Sequence, residues 1–246
     1  MTSRSSFIGL IPARKGSKGL IDKNMLNLNG KPLVQHTIHA ALHSSLIGEV
    51  WVSSDDLRVL SLADSLKAKT LLRPAEFATD ESSAIDVVNH FIDSLPKNIN
   101  HKNNFIVYLQ PTSPLRNSKH IDKAIMSLLE NKEESLISVM HMRKSPFKSF
   151  IISNSGRLES LFEEKLSNAR RQDLQDVYIP NGAIYIFSIE DFLDRKGFPS
   201  NGSMPFVMTE DDSIDIDSII VLNDPLSWKK FFEARHSIPD NALTKT

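Results

Sequence analysis

Short apolar runs alternate with amphipathic helical segments along most of this chain. The runs cover residues 7–11, 49–53, 69–72, 105–109 and 136–140, and between them apolar residues recur at helical spacing. The run FIVYL at residues 105–109 is uninterrupted, which is typical of a central parallel strand. The alternation predicts a doubly wound, mostly parallel α/β sheet. Right-handed crossovers would bring the carboxyl ends of its parallel strands to one edge, where ligands bind.

The alternation breaks between residues 141 and 180, a segment rich in Arg and Lys with weak helical periodicity. It resumes with the apolar run AIYIF at residues 183–187, a further strand is predicted to end at Ile216, and Leu226–Phe232 has amphipathic helical spacing. We therefore predict a main α/β domain formed by residues 1–140 and 181–235. Residues 141–180 would form an inserted arm, and residues 236–246 a polar tail.

Charge and cysteine content exclude several classes of protein. The chain has 246 residues, and 29 Lys and Arg against 30 Asp and Glu give a net charge of -1, so no basic footprint for nucleic acid is expected. The absence of cysteine excludes disulfides, thiolate catalysis and cysteine zinc sites. No uncharged apolar stretch approaches transmembrane length, and the N-terminus lacks signal-peptide features. We expect a cytosolic protein without a membrane partner.

A glycine-rich basic loop follows the first predicted strand. It reads RKGSKG over residues 14–19, and Lys23 and Asn24 lie close behind. Glycines allow a tight turn and close approach to a ligand, and the cations would neutralise a polyphosphate. At the carboxyl end of a first strand this indicates a nucleoside triphosphate site. The spacing is neither Walker A nor the dinucleotide fingerprint, and a solvated basic turn is the alternative.

Two polar segments follow later strands. Arg73 ends the run at residues 69–72 and precedes the stretch DESS at residues 80–83, whose hydroxyls could read a base or hold phosphate, or could simply cap a helix. The loop QPTSPLR at residues 110–116 follows the central strand. Its prolines restrict the backbone, and Gln110 and Thr112 suit a sugar or ribose, although a rigid turn is the simpler alternative.

The last two segments carry opposite charges. Arg170 and Arg171 could meet a carboxylate or phosphate, or belong to a solvated arm. In the sequence SIDID at residues 213–217, a strand would project Asp215 and Asp217 to the same side while the isoleucines face the core. Two such carboxylates repel unless a cation lies between them, and Mg²⁺ prefers carboxylates with water and phosphate oxygens. Two solvated acids at a strand end are the alternative.

Together these segments form an ordered set of motifs. RKGSKG, LRP, DESS, LQPTSPLR, RRQDL, NGAIY and DID follow one another across nearly the whole chain, which resembles the acylneuraminate cytidylyltransferase family. The resemblance implies a Rossmann-like nucleotidyltransferase fold with an inserted dimerisation arm. It also implies transfer of CMP from CTP to a nine-carbon 2-keto acid sugar, with release of pyrophosphate. One departure is Ile21, where the family usually has proline.

The resemblance also implies roles for individual residues. Arg14, Ser17, Lys18 and Lys23 would contact the phosphates of CTP, and Asn24 would lie near its ribose. Arg73 and Ser82 would recognise cytosine, and Gln110 and Thr112 would face the sugar. Asp215 and Asp217 would bind Mg²⁺. Asn181 joins the substrate-binding set. The resemblance further implies a homodimer, in which Lys144 with either Arg170 or Arg171 would reach the sugar carboxylate in the partner's site.

Two other functions remain open from sequence. An eight-carbon Kdo-type cytidylyltransferase shares the fold and chemistry, although LQPTSPLR and RRQDL…NGAIY favour the nine-carbon branch. A non-catalytic nucleotide-binding regulator is disfavoured by the Asp215/Asp217 pair, which a pure binder does not need. The motifs do not distinguish sialic, legionaminic and pseudaminic acids, because pocket shape decides among such sugars.

Overall fold

A computed structural model of the chain describes residues 6–16, 21–79, 81–97, 99 and 101–216. The helix predicted at residues 226–232 and the tail predicted from residue 236 lie outside the described residues.

The described residues alternate between strands and helices, as the sequence predicts. The strands are β1 (Ser6–Pro12), β2 (Asn27–Leu28), β3 (Lys31–Pro32), β4 (Ile47–Ser54), β5 (Lys69–Leu72), β6 (Asn104–Tyr108), β7 (Ser135–His141), β8 (Phe150–Ile152), β9 (Leu158–Ser160), β10 (Tyr178–Ser188) and β11 (Met204–Val207). The α-helices are α1 (Leu33–Leu42), α2 (Leu57–Ser65), α3 (Ala84–Ser94), α4 (Ser118–Asn131), α5 (Glu164–Ser167) and α6 (Ile189–Arg195).

Seven strands form one mixed sheet in the order β11-β7-β10-β6-β1-β4-β5. All neighbours pair in parallel except β10, which runs antiparallel to both β6 and β7. The predicted α/β class with a mostly parallel sheet is therefore confirmed. The antiparallel direction of β10 matters for function, because it brings the start of that strand, at Tyr178, to the edge where the parallel strands end.

Helices cover both faces of the sheet. Helices α1, α2 and α4 pack on one face, against side chains such as Phe7, Val52 and Val107. Helices α3 and α6 pack on the other face, against Ile8, Ile106 and their neighbours. Adjacent residues of one strand thus enter opposite cores, as expected of strands buried on both sides. Of the described helices, none is long and apolar enough to cross a membrane.

The segment between β7 and β10 leaves the sheet. It contains the hairpin of β8 and β9, joined at Gly156, and the short helix α5. The hairpin exposes large apolar side chains, with Ile152 76% and Leu158 68% exposed, and these two residues lie opposite each other in its register. An exposed apolar patch of this kind typically marks an interaction surface.

The prediction of a strand that ends at Ile216 is wrong. Residues 213–216 are irregular, although Ile216 is fully buried in a small cluster with Leu28, Leu33 and Leu115, against which Ile214 packs. The alternating pattern reflects an irregular segment that buries its isoleucines without joining the sheet.

Candidate active site

The site lies at the carboxyl edge of the sheet, between β1 and β6. These neighbouring parallel strands send their connections to opposite sides, since the chain after β1 returns in β4 and the chain after β6 leads to β7. Such a reversal of strand order opens a crevice that binds ligands in open α/β sheets. The basic loop leaves β1 and the QPTSPLR loop leaves β6, so both motifs border this crevice.

Hydrogen bonds hold the start of the basic loop, residues 14–16, against neighbouring elements. The backbone N–H of Lys15 donates to Asp55 Oδ1 at 2.8 Å, and Asn24 Nδ2 donates to the carbonyl of Arg14 at 2.8 Å. Arg14 Nη1 donates to the carbonyl of Thr79 at 2.7 Å. Arg14 is therefore fixed through both its backbone and its side chain. Ser17 and Lys18, assigned to phosphate contacts, lie outside the described residues.

The chain reaches Lys23 through a strained residue with a charged partner. Asp22 has a left-handed backbone conformation, with φ 53°, and its carboxylate pairs with Arg58 Nη2 at 2.9 Å. Arg58 also pairs with Asp56, the N-cap of α2. Ile21, which stands where the family usually has proline, is 87% exposed. The ion pair thus links the residue after Ile21 to α2.

Arg73 is buried at the end of β5, close to Arg14. Its Nη2 donates to the carbonyl of Ser53 at 2.7 Å and its Nε to Ser53 Oγ at 3.2 Å. Burial lowers the pKa of Arg73; the nearby Tyr108 and Asp55 oppose this effect, and the positive charge of Arg14 adds to it. Arg73, Arg14 and Asp55 are therefore close enough to interact at this edge of the sheet.

Ser82 belongs to the same side of the crevice. Its Oγ donates to the carbonyl of Glu76 at 3.0 Å and accepts from the backbone N–H of Thr79 at 3.0 Å. Thr79 in turn accepts from Arg14, so this turn links two predicted site residues. The predicted helix-capping alternative holds for Ser83, which forms a capping box with Asp86 at the start of α3.

On the β6 side, Arg116 joins the QPTSPLR loop to β10. Arg116 is fully buried, and its Nη1 donates to the carbonyls of Gln110 at 3.1 Å and Ala183 at 2.9 Å. Burial lowers the pKa of Arg116 to about 9. Gly182 has φ +74°, and a Cβ there would lie 2.6 Å from Gln110 Oε1. A side chain at this position would displace the end of the Gln110 side chain, and the positive φ also favours glycine.

The carboxylate end of the site is attached to the same loop. The backbone N–H of Ile216 donates to the carbonyl of Thr112 at 2.8 Å, which holds Asp215 beside the crevice. Asp215 is exposed and lies near Tyr185, whose pKa is raised by burial and by the charge of Asp215. Asp217 lies outside the described residues.

The donor set is compatible with Mg²⁺. Within the part of the chain that the structure describes, no group of three or more His, Cys, Asp or Glu side chains could hold a metal ion. A metal would therefore rely on one or two carboxylates and on oxygens of the nucleotide, which is how Mg²⁺ is usually bound. Asp215, as an exposed carboxylate at the crevice, fits that role.

The remaining predicted residues lie on the arm or inside the protein. Lys144 is exposed after β7, Arg170 pairs with Asp173 at 2.8 Å, and Arg171 is exposed next to it. Asn181, by contrast, is buried in β10 with its amide hydrogen-bonded to protein groups. Within one chain, the structure thus gathers the sheet-edge residues at the crevice and leaves the three basic residues on the arm.

Sequence reasoning missed two residues that shape the crevice. Asp55 holds the basic loop and Arg116 holds the QPTSPLR loop. Asp55 could have been found, because it follows β4 at the same sheet edge as the motifs. Arg116 stood inside a motif, but its burial and its bond to Ala183, 67 residues away, leave no local signal.

This fold and crevice define a nucleotide-binding α/β protein. A sequence model of the family described as cytidylyltransferase matches residues 8–222, and the chain belongs to that family. This confirms the resemblance inferred from the motifs.

Named relatives include both sialic-acid and legionaminic-acid enzymes. The chain is 35% identical over 214 residues to the N-acylneuraminate cytidylyltransferase of Streptococcus agalactiae serotype V, covering 86% of this chain and 50% of that protein. It is 34% identical over 227 residues to the CMP-N,N'-diacetyllegionaminic acid synthase of Legionella pneumophila, covering 90% of this chain and 92% of that protein. The chain therefore spans about half the length of the first relative and most of the second.

A solved structure shares the architecture. A CMP:2-keto-3-deoxy-manno-octonic acid synthetase complexed with CTP superposes with a TM-score of 0.66 at 17% identity, covering 95% of this chain and 100% of that one. At this identity the likeness shows the fold alone, and it confirms the predicted nucleotidyltransferase architecture.

Proposed function

We propose that this chain transfers CMP from CTP to the anomeric hydroxyl of a nine-carbon 2-keto acid sugar and releases pyrophosphate. The observation that supports this most is the junction of motifs at the strand-order reversal. Arg14 borders the crevice on the β1 side, and Thr112, to which the Asp215 segment is bonded, borders it on the β6 side. The names and identities of the relatives support CTP and nine-carbon acids as substrates.

The cationic side of the crevice suits the nucleotide. Arg14 and Lys23, with Ser17 and Lys18 from the same loop, would contact the phosphates. Asn24 would lie near the ribose, and Arg73 and Ser82 near cytosine. The hydrogen bonds of Arg14 and Arg73 to the protein orient these groups before CTP binds, and such preorganisation makes charge stabilisation effective.

The other side suits the sugar. Gln110 and Thr112 would face it, and its anomeric oxygen would attack the α-phosphorus as the bond to the β-phosphate oxygen breaks. Lys18 and Lys23 would stabilise the departing pyrophosphate, and positioning of the two reactants supplies much of the rate. When bound by Asp215 and Asp217, Mg²⁺ would neutralise phosphate charge and favour loss of the hydroxyl proton.

A homodimer would complete the sugar site. The apolar hairpin of β8 and β9 supports pairing of two arms, and Lys144 with Arg170 or Arg171 would then reach the partner's sugar carboxylate. The cytosol remains the predicted compartment, and the absence of cysteine is compatible with it. The Kdo-type alternative rests on a structural likeness at 17% identity.

The test is pyrophosphate release with Mg²⁺ and CTP against sialic, legionaminic and pseudaminic acids and Kdo, with ATP, GTP and UTP each replacing CTP. We expect release with CTP and a nine-carbon acid only, and a loss of at least about 100-fold in the Asp215→Asn variant. Turnover with Kdo alone would transfer the protein to the eight-carbon branch. CTP binding without release from any acid would favour the regulator.

A further inference from the structure

The side chain of Asn181 is buried in β10, at the point where the register of β10 with β7 shifts. It is 6% exposed. Its Oδ1 accepts from Ser138 Oγ at 2.6 Å and from the backbone N–H of Ala183 at 3.1 Å, and its Nδ2 donates to Ser213 Oγ at 2.8 Å. The backbone N–H can only donate, so these partners fix the orientation of the amide.

Ser213 connects Asn181 to the turn that precedes Asp215. Its Oγ accepts from Asn181 and donates to the carbonyl of Thr209 at 2.7 Å. Three residues later, the backbone N–H of Ile216 donates to the carbonyl of Thr112. Only Ile214 and Asp215 lie between the two attachments, so the position of Asp215 is set by a short tether held at both ends.

We infer that Asn181 is a positioning residue for Asp215, acting through Ser213, and that it sets the affinity of the site for its divalent cation. This replaces the direct substrate contact expected from the sequence. The inference rests on the proposed function, since it takes Asp215 as a ligand of the metal that accompanies CTP. Partners that orient a metal-binding carboxylate affect metal affinity by about 10–100-fold when removed.

Two variants break the same hydrogen bond from opposite ends. Asn181→Asp keeps the size and the acceptor for Ala183 but removes the N–H donor, and Ser213→Ala removes the acceptor. Ser188→Ala is the matched control, because Ser188 is also a buried serine with a hydrogen-bonded hydroxyl. Its Oγ accepts from the backbone N–H of Asp191 at 3.0 Å. Ser188 pairs with Phe105 at the start of β6, so it lies at the opposite edge of the sheet.

The first measurement is binding of Mn²⁺ to the enzyme with CTP and without sugar, from the electron paramagnetic resonance signal of free Mn²⁺. We expect half-saturation to rise about 10-fold or more in Asn181→Asp and in Ser213→Ala, with no further loss in the double variant, and to stay unchanged in Ser188→Ala. If Asn181→Asp does not fold, Ser213→Ala decides alone.

The second measurement separates this role from substrate contact. We expect the Mg²⁺ concentration for half-maximal turnover to rise in parallel, while the KM for the sugar changes by less than about twofold. Unchanged Mn²⁺ binding with a raised sugar KM would overturn the inference and return Asn181 to the substrate. If the wild-type protein turns over no acid, the proposed function fails, and Mn²⁺ binding still tests the role of Asn181.

Discussion

Gly182 and Gln110 are packed so closely that a methyl group on Gly182 would displace the end of the Gln110 side chain. A Cβ on Gly182 would lie 2.6 Å from Gln110 Oε1. We expect Gly182→Ala to displace Gln110 and to raise the KM for the sugar by about 10-fold, which corresponds to about 1.4 kcal/mol, with little change in the KM for CTP. Steady-state kinetics with each substrate varied in turn measure this.

Gly202→Ala controls for backbone strain. Gly202 lies in the turn before β11, at the sheet edge opposite the crevice, and has φ +85° with open space around a Cβ, whereas Gly182 has φ +74° and a neighbour. Both variants should lose about 1–2 kcal/mol of stability from the left-handed conformation, but only Gly182→Ala should affect sugar binding. Equal sugar KM values in the two variants would show that Gln110 does not contact the sugar.

The Asp122 carboxylate on α4 should make stability depend on pH. Burial alone would raise its pKa, but hydrogen bonds donated by Ser44 and Ser45 outweigh burial and lower the pKa. A lowered folded pKa contributes stability above the unfolded pKa of about 3.9, and this contribution is lost as pH falls through the folded pKa.

Asp122→Asn should therefore be less stable than wild type at pH 7, by about 1 kcal/mol because the carboxylate is partly solvated. The difference should shrink below pH 4. Urea unfolding from pH 7 to pH 3 measures it, with Asp93→Asn on an exposed face of α3 as the control. A gap as large at pH 3 as at pH 7 would contradict an ionic origin.

Local patterns predicted most of the fold, because they mark which strands and helices are buried. Apolar runs and helical spacing located β1, β6 and the helices, because those strands are buried on both faces. They did not reveal the direction of β10. This strand is buried on both faces, so its sequence is an apolar run like those of its parallel neighbours. They also misplaced Ile216, whose burial against Leu33 and Leu115 mimics a strand pattern.

The motifs named residues but not how they are held. Asn181 was expected at the substrate, and its bonds to Ser138 and Ser213 bridge 43 and 32 residues of sequence. No local pattern encodes such contacts. The position of Arg73, in contrast, follows from its place at a strand end, because parallel strands bring their carboxyl ends to one edge; its role there stays a prediction.

The β8–β9 hairpin should hold two copies of the chain together. Ile152 and Leu158 face each other across the hairpin and are both largely exposed. In a symmetric interface each copy contributes the same patch, so Ile152→Glu would bring like charges together or bury them. We expect a dimeric wild type and a monomeric Ile152→Glu variant by light scattering after size-exclusion chromatography.

Met126→Glu is the matched control, because Met126 is 50% exposed but lies on α4, away from the hairpin. It should remain dimeric. The specific activity of Ile152→Glu should fall with its dimer fraction if the arm completes the partner's site. A wild-type monomer at micromolar concentration, or a dimeric Ile152→Glu variant, would rule out this interface.

Substitution of Arg73 should raise the KM for CTP more than the KM for the sugar. Its Nε and Nη2 both donate to Ser53, and the burial of the guanidinium makes those bonds costly to lose. Arg73→Lys keeps the charge but cannot reproduce the planar pair of donors. We expect the KM for CTP to rise about 10-fold or more, with the sugar KM within about twofold of wild type. Ser53→Ala removes only the hydroxyl acceptor and keeps the carbonyl, so its effect should be smaller. Equal effects of Arg73→Lys on both substrates would instead indicate a general disturbance of the crevice, which thermal unfolding of the two variants would reveal.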